Sequence, residues 1–370
     1  MRNLSLPFAL LISVAAVACA TESNEKVYKL GKNASAIQGG TLDTSTSHNY
    51  VVGVTNRYGG VCSGTLIAPN LVLTARHCVV PPDGQEAVTC ADKFPANVAP
   101  SAMGVTTSAN LYRTKNYYGA REIITPPDTN FCGNDIALII LSDSIPDSEA
   151  SPVTPVVQFS MTDTSKVGAK VVAMGYGITS PTANDSGQRR KREDINILCI
   201  PGDSSRECTG GMKNMVDSDK EFVTEGWVCS GDSGSGAFEQ NSFEAGHPYV
   251  LGALSRGPQT DEECLAAIYT RTDAHADMIV NAGVKAANEG GYDAPEWTKP
   301  ASADATAKPG CEGDTCTDTS ATEPAGDEPQ TTTKTTSGCS TSGTTTSSNA
   351  FGIVALAAMT VLVSRRRRRA

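Results

Sequence analysis

The chain has 370 residues, of which 39% are hydrophobic but only 5% aromatic, with 34 Gly and 20 Pro. That length holds two ordinary domains or one large all-β domain, and so turn-rich and aromatic-poor a texture argues against a helical bundle. The formal net charge is -10 even with Arg2 and the run Arg365 to Arg369 counted, all in terminal segments that look removable. An acidic surface repels phosphate backbones and excludes nucleic acid as a partner class.

Residues 1–20 carry a single Arg2, an apolar run over 4–18 and the small residues Ala18-Cys19-Ala20. This is the layout of a secretory signal peptide and predicts export. A cut after Ala20 fits the small-x-small rule, while Ala16-Val17-Ala18-Cys19 also resembles a degenerate lipobox with Cys19 as the lipidated residue. Residues 21–36 are polar without apolar periodicity and read as a pro-segment. From Ile37 onward, short β-rich runs such as Val51-Val52-Gly53-Val54, Gly64-Thr65-Leu66-Ile67 and Leu71-Val72-Leu73 alternate with Gly, Pro and Asn. They suit a barrel or a sandwich. Arg189-Arg190-Lys191-Arg192 reads as a solvated basic loop or a processing site. An amphipathic stretch over 274–287, with Thr272-Asp273 as its N-cap, predicts a helix closing a domain that ends at 289.

Residues 290–338 are rich in Thr, Ala, Asp, Pro and Ser, which predicts a linker. Cys311 and Cys316 are spaced for a small local loop there. The last segment, 339–370, begins at Cys339 and runs through a polar spacer to an apolar stretch over 351–363 and the arginine cluster. The apolar part is short for a stable span of about 20 residues, and the arginines favour the cytoplasmic side. This tripartite tail resembles the C-terminal surface-sorting signals of myxobacterial proteins. The resemblance implies a membrane contact, a sorting peptidase acting at Cys339, and a bacterial cell-surface, outer-membrane or extracellular destination.

Twelve cysteines predict an oxidising compartment, and none has a histidine at zinc-site spacing, so no metal is expected. A serine hydroxyl is a poor nucleophile at neutral pH. It needs a base, a group that orients the base, and donors for the developing oxyanion. Gly231-Asp232-Ser233-Gly234 offers a serine in a glycine-flanked turn. His77 follows a strand-like run in Thr74-Ala75-Arg76-His77-Cys78, and Asp135 opens the apolar run Ile136-Ala137-Leu138-Ile139. A carboxylate there is costly unless it is paired.

Four blocks make a resemblance explicit: Ile37-Gln38-Gly39-Gly40, the histidine block over 64–78 (GTLIAPNLVLTARHC), the aspartate block over 134–138 (NDIAL), and the serine block over 229–234 (CSGDSG). In this order they resemble the trypsin and chymotrypsin family of serine peptidases over residues 37–287. Gly175-Tyr176-Gly177 and Ser255-Arg256-Gly257 are similar to the family's Gly-Trp-Gly and Ser-Trp-Gly. The resemblance implies two antiparallel Greek-key β-barrels, near 37–160 and 161–289, with the site in the cleft between them. It implies Ser233 as nucleophile, His77 as base, Asp135 as its orienting partner, and the Gly231 and Ser233 amides as oxyanion hole. No cofactor is called for, and the partners are protein or peptide substrates.

By the same resemblance Cys62 pairs with Cys78 and Cys229 with Cys264. Proximity suggests Cys199 with Cys208, which leaves Cys90 with Cys132. The family also implies an activating peptidase that cuts before Ile37, whose freed amino group pairs with Asp232. The expected substrate pocket is formed by Trp227, Ser255, Gly257 and Ala267. Trp227 falls where trypsins place Asp, so its ring is expected to shorten the pocket base and to exclude Arg/Lys specificity in favour of small or medium apolar side chains. An exported, surface-anchored endopeptidase is the first reading. A catalytically silent homologue serving as a surface binding module is the second.

Overall fold

The computed structural model describes residues 37–81, 88–216 and 218–300. The signal peptide, pro-segment, Cys19, Cys311, Cys316, the linker beyond 300 and the Cys339 tail lie outside the described residues. Within them, no helix is long and apolar enough to cross a membrane.

Two closed six-stranded antiparallel barrels make up the body. The first contains β1 (Val51–Asn56), β2 (Val61–Ala68), β3 (Leu71–Thr74), β4 (Met103–Thr106), β5 (Tyr118–Ile124) and β6 (Ala137–Leu141). Around the barrel they run β1-β2-β3-β6-β5-β4, closed by β4 on β1. The second contains β7 (Lys170–Gly175), β8 (Arg190–Cys199), β9 (Glu221–Glu225), β10 (Gly236–Glu239), β11 (Tyr249–Arg256) and β12 (Ala266–Arg271). Its circuit, β7-β8-β9-β12-β11-β10, repeats that of the first and closes by β10 on β7. Within each circuit every strand has a neighbour on both sides, and both faces of β3 and β6 are covered, which is why Leu71 to Leu73 and Ala137 to Leu141 are apolar without alternation. Val52, Leu66, Val72, Leu138 and Ile140 form part of one core, while Val171, Ile195, Phe222, Leu251 and Tyr269 belong to another in the second barrel.

The C-terminal helix spans Ala276–Gly290 and ends on Gly291 in the left-handed region. Thr272 does not cap it: its hydroxyl donates to the carbonyls of Val250 and Leu251, and Asp273 accepts from Arg271 instead. The helix lies on the first barrel, where Asn70 donates to the Ala286 carbonyl. Packing continues beyond it, because Tyr292 donates to Asn70 Oδ1 and the buried Trp297 fits against Gly283.

The basic run at 189–192 is not a solvated loop. Arg190 opens the ten-residue β8, which pairs with β7 from Arg190 to Asn196, with a register shift between Arg192 and Ile195, and then with β9 from Ile197 to Cys199. Arg189 is fully buried and bonds Asp43 Oδ2 at 2.7 Å, the Ser45 carbonyl at 2.6 Å and Asn49 Oδ1 at 3.2 Å. Its charge is thereby met inside the protein, as a buried guanidinium requires.

Candidate active site

His77 and Asp135 meet because of strand register. β3 and β6 are antiparallel with Thr74 opposite Ala137, so the residues just after β3 lie beside those just before β6. His77 sits on the single turn Arg76–Val79, and the Cys62–Cys78 disulfide ties that turn to β2. Asp135 is fully buried. Its Oδ1 accepts the His77 amide at 2.9 Å, and its Oδ2 accepts His77 Nδ1 at 2.8 Å and Ser255 Oγ at 2.7 Å. Burial alone would push this carboxyl upward, but the adjacent His77 charge and these hydrogen bonds hold it below its ordinary value. With Nδ1 donating to a carboxylate, Nε2 is the ring nitrogen left to accept a proton. Phe131 stacks on the imidazole with centroids 6.5 Å apart and planes 20° from parallel.

Ser233 comes from the second barrel, in the turn between β9 and β10. Asp232 N bonds the Cys229 carbonyl and Ser235 N the Asp232 carbonyl, folding the chain so tightly that Gly231 and Gly234 take φ of 90° and 80°. A Cβ at Gly234 would lie 2.1 Å from Thr74 Oγ1, so only glycine fits there. The turn is stitched to the first barrel: Ser63 N donates to the Ser233 carbonyl at 2.8 Å, Cys78 Sγ lies 3.6 Å from that carbonyl, and Ser63 Oγ donates to the Gly231 carbonyl at 3.0 Å. Ser233 is thus held beside the turn that carries His77. Neither the Gly231 nor the Ser233 amide meets a protein acceptor among the described residues.

Asp232 and Ile37 are both fully buried. The Asp232 carboxylate accepts only main-chain donors among the described residues, Gly177 N at 2.9 Å and Cys229 N at 3.0 Å. Burial pushes it well above its ordinary value. The segment after Ile37 is docked onto the serine-bearing loop, with Gln38 N donating to the Trp227 carbonyl at 2.6 Å and Gln38 Oε1 accepting from Cys264 N at 3.0 Å.

A cavity of about 30 Å³ opens beside Ser233, walled by Val228 to Ser230 on one side and Ser255 to Gln259 on the other, with Cys264 bridged to Cys229. Gly257 is required there, since a Cβ would lie 2.0 Å from the Ala266 carbonyl. Trp227 and Ala267 are not part of this lining. Trp227 has φ of 80°, and its ring turns away to lie under the Arg192 guanidinium at 3.7 Å, while Ala267 is buried in the second barrel's core. A larger cavity of about 470 Å³, between Phe159, Tyr249 and Trp297, shares no residue with the Ser233 cleft and holds none of the candidate catalytic groups.

The described disulfides are Cys62–Cys78, Cys90–Cys132, Cys199–Cys208 and Cys229–Cys264, the pairs expected. Cys62, His77 and Cys78 cluster closely enough to suggest metal donors, but the two sulfurs are bonded to each other and carry no thiolate. Sequence reasoning missed Phe131, the anchoring hydroxyl of Ser63, and a buried ion pair between Arg256 and Glu221. Only the last left a trace, a cation at the end of the apolar run over 249–254.

The family model described as Trypsin matches residues 37–279. The chain is 26% identical over 226 residues to phenoloxidase-activating factor 3 of Holotrichia diomphalia, covering 59% of this chain and 62% of that protein. It is 28% identical over 245 residues to melanization protease 1 of Drosophila melanogaster, covering 61% and 59%, and 26% identical over 227 residues to kallikrein 1-related peptidase b8 of Mus musculus, covering 60% and 78%. The chain thus spans about three fifths of the length of the first two relatives.

Proposed function

The chain belongs to the trypsin family, and from that membership we propose that it is an exported serine endopeptidase whose catalytic groups are Ser233, His77 and Asp135. The carrying observation is the Asp135–His77 contact, a buried carboxylate fixing the imidazole tautomer, beside a turn that presents a serine on a second barrel. Ser233 Oγ attacks the scissile carbonyl while His77 Nε2 takes its proton. The same proton passes to the leaving amine as the tetrahedral species collapses, leaving an acyl-enzyme. Water, activated by the neutral imidazole, then releases the acid and regenerates the hydroxyl. The Gly231 and Ser233 amides receive the oxyanion, and a single such donor contributes about 10²-fold to 10³-fold in rate.

Cleavage after Ala36 supplies the counter-charge for Asp232. Ionised and without a cation, that carboxylate opposes folding as pH rises, since its folded value lies above the unfolded one. An ammonium freed at the buried Ile37 relieves the penalty and orders the oxyanion turn. Ala36 is neither Arg nor Lys, so the activating peptidase is not trypsin-like. The narrow cavity and the absence of a carboxylate from its lining favour small apolar P1 side chains over Arg or Lys. Export and surface anchoring rest on the leader, the disulfides and the Cys339 tail. A fluorophosphonate probe is expected to label the cut protein at Ser233 and to leave Ser233→Ala unmarked; labelling that persists in that variant overturns the assignment.

A further inference from the structure

Outside the proposed catalytic groups, a carboxylate–guanidinium pair lies buried close to Asp135. Arg256 and Glu221 both have fully buried side chains and meet as a fork, Nη1 to Oε1 at 2.6 Å and Nη2 to Oε2 at 3.0 Å. Each then reaches the aspartate from a different side. Arg256 Nη1 lies 3.4 Å from Ser255 Oγ, which donates to Asp135 Oδ2. Glu221 Oε1 accepts the Gly133 amide at 2.8 Å, two residues before Asp135, and His275 Nε2 bonds the Gly133 carbonyl at 2.7 Å. The pair also touches the wall beside the imidazole: the guanidinium lies 5.9 Å from the centroid of Phe131 and 4.0 Å from Cys90 Sγ of the Cys90–Cys132 bridge.

The chemistry of Ser255 gives this arrangement its consequence. A hydroxyl has one hydrogen and can accept two. A guanidinium can only donate, so Arg256 occupies an acceptor site on Oγ, turns the Ser255 hydrogen away from itself and favours its orientation toward Asp135. Glu221 neutralises that cation so that it can remain buried, and spends its remaining acceptor capacity on the loop that carries Asp135. Glu221 lies on β9 and Arg256 on β11, both in the second barrel, whereas Asp135 belongs to the first. We propose that the Arg256–Glu221 pair is a positioning device that sets the orientation of Asp135, and through it of His77, by fixing the Ser255 hydroxyl on one side and the Gly133 peptide on the other. This inference rests on the catalytic reading of Asp135 and His77.

The test is a double-mutant cycle in the cut enzyme. Arg256→Met with Glu221→Leu removes both charges together and keeps the volume, so that the fold survives; Ser255→Ala is made alone and in that background. The expected result is a tenfold or greater fall in kcat with KM changed less than twofold in Arg256→Met/Glu221→Leu, and an upfield move of the His77 Nδ1 proton resonance. Adding Ser255→Ala to that background is expected to cost less than half of what it costs in the wild type, because its orientation is already lost. Arg256→Lys with Glu221 intact should recover part of kcat. Full multiplicative additivity of Ser255→Ala, or an unmoved His77 proton resonance in a folded double variant, overturns the proposal. The resonance reads geometry without turnover, so a wild-type protein that shows it yet fails to react with fluorophosphonate refutes the peptidase reading rather than this one.

Discussion

At the scale of single residues, Asp135 is the sharpest case of a group whose surroundings decide its chemistry. Its carboxylate is buried yet held ionised, and its two oxygens are committed to His77 and Ser255. Asp135→Asn keeps the shape but offers an amide where Nδ1–H must donate, which favours the wrong tautomer. A fall in kcat of about 10⁴-fold is expected, with KM nearly unchanged, in steady-state hydrolysis of a small-P1 peptide. Asp203, buried in the loop after β8, shows the same balance without a histidine. Burial raises its carboxyl, but hydrogen bonds from Ser205 and the Arg206 pair outweigh burial and bring it down to about 2. Its folded value lies below the unfolded one, so its contribution to stability is present above about pH 4 and is lost as pH falls toward 2. Urea melts of wild type and Asp203→Asn should therefore differ at pH 5 and converge near pH 2; a gap that stays constant with pH contradicts this.

At the scale of elements, β8 shows what a run of basic residues can hide. Arg189 anchors the chain entering β8 to Asp43, 146 residues away, and Arg192 covers Trp227 while donating to the Gln38 carbonyl at 2.9 Å. Arg189→Met takes the guanidinium from Asp43 and leaves that carboxylate His48 Nδ1 as its remaining side-chain partner; the loss should cost about 3 kcal/mol in chemical denaturation, part of it recovered by adding Asp43→Asn. Four consecutive cations carry no mark of which will be buried, because the partner of Arg189 is remote in sequence; hydropathy alone points to solvent. Trp227 was obscure for another reason. Its place in the chain follows from the cysteine two residues on, but the direction of its side chain depends on a positive φ and on a guanidinium from another strand. The strands were plainer, since β3 and β6 are continuous apolar runs, and the register that brings His77 to Asp135 follows once they pair.

At the scale of the whole molecule, both barrels follow the same circuit of strands, and the candidate site is assembled from the two. The all-β class was legible because turn residues punctuate short β-rich runs throughout. The helix after the second barrel was legible too, but not its start, because Thr272 and Asp273 spend their side chains on neighbouring strands. The Cys90–Cys132 bridge closes a loop, with a sequence separation of 42, in the stretch of chain between His77 and Asp135. Replacing both cysteines by serine should cost about 4 kcal/mol on a loop-entropy basis. Calorimetry of the double variant tests this, and a melting temperature equal to wild type would contradict it.

The stitches from Ser63 to Ser233 and Gly231 cross from one half of the protein to the other. Alignment across that junction is needed only to within fractions of an ångström for hydrogen bonding, yet ultraviolet dichroism is blind to slippage of this size. On gentle heating, hydrolytic output should therefore decline several degrees before ellipticity does, and cooling should restore it. The protein would behave like a two-part lens, going out of focus long before either piece of glass softens.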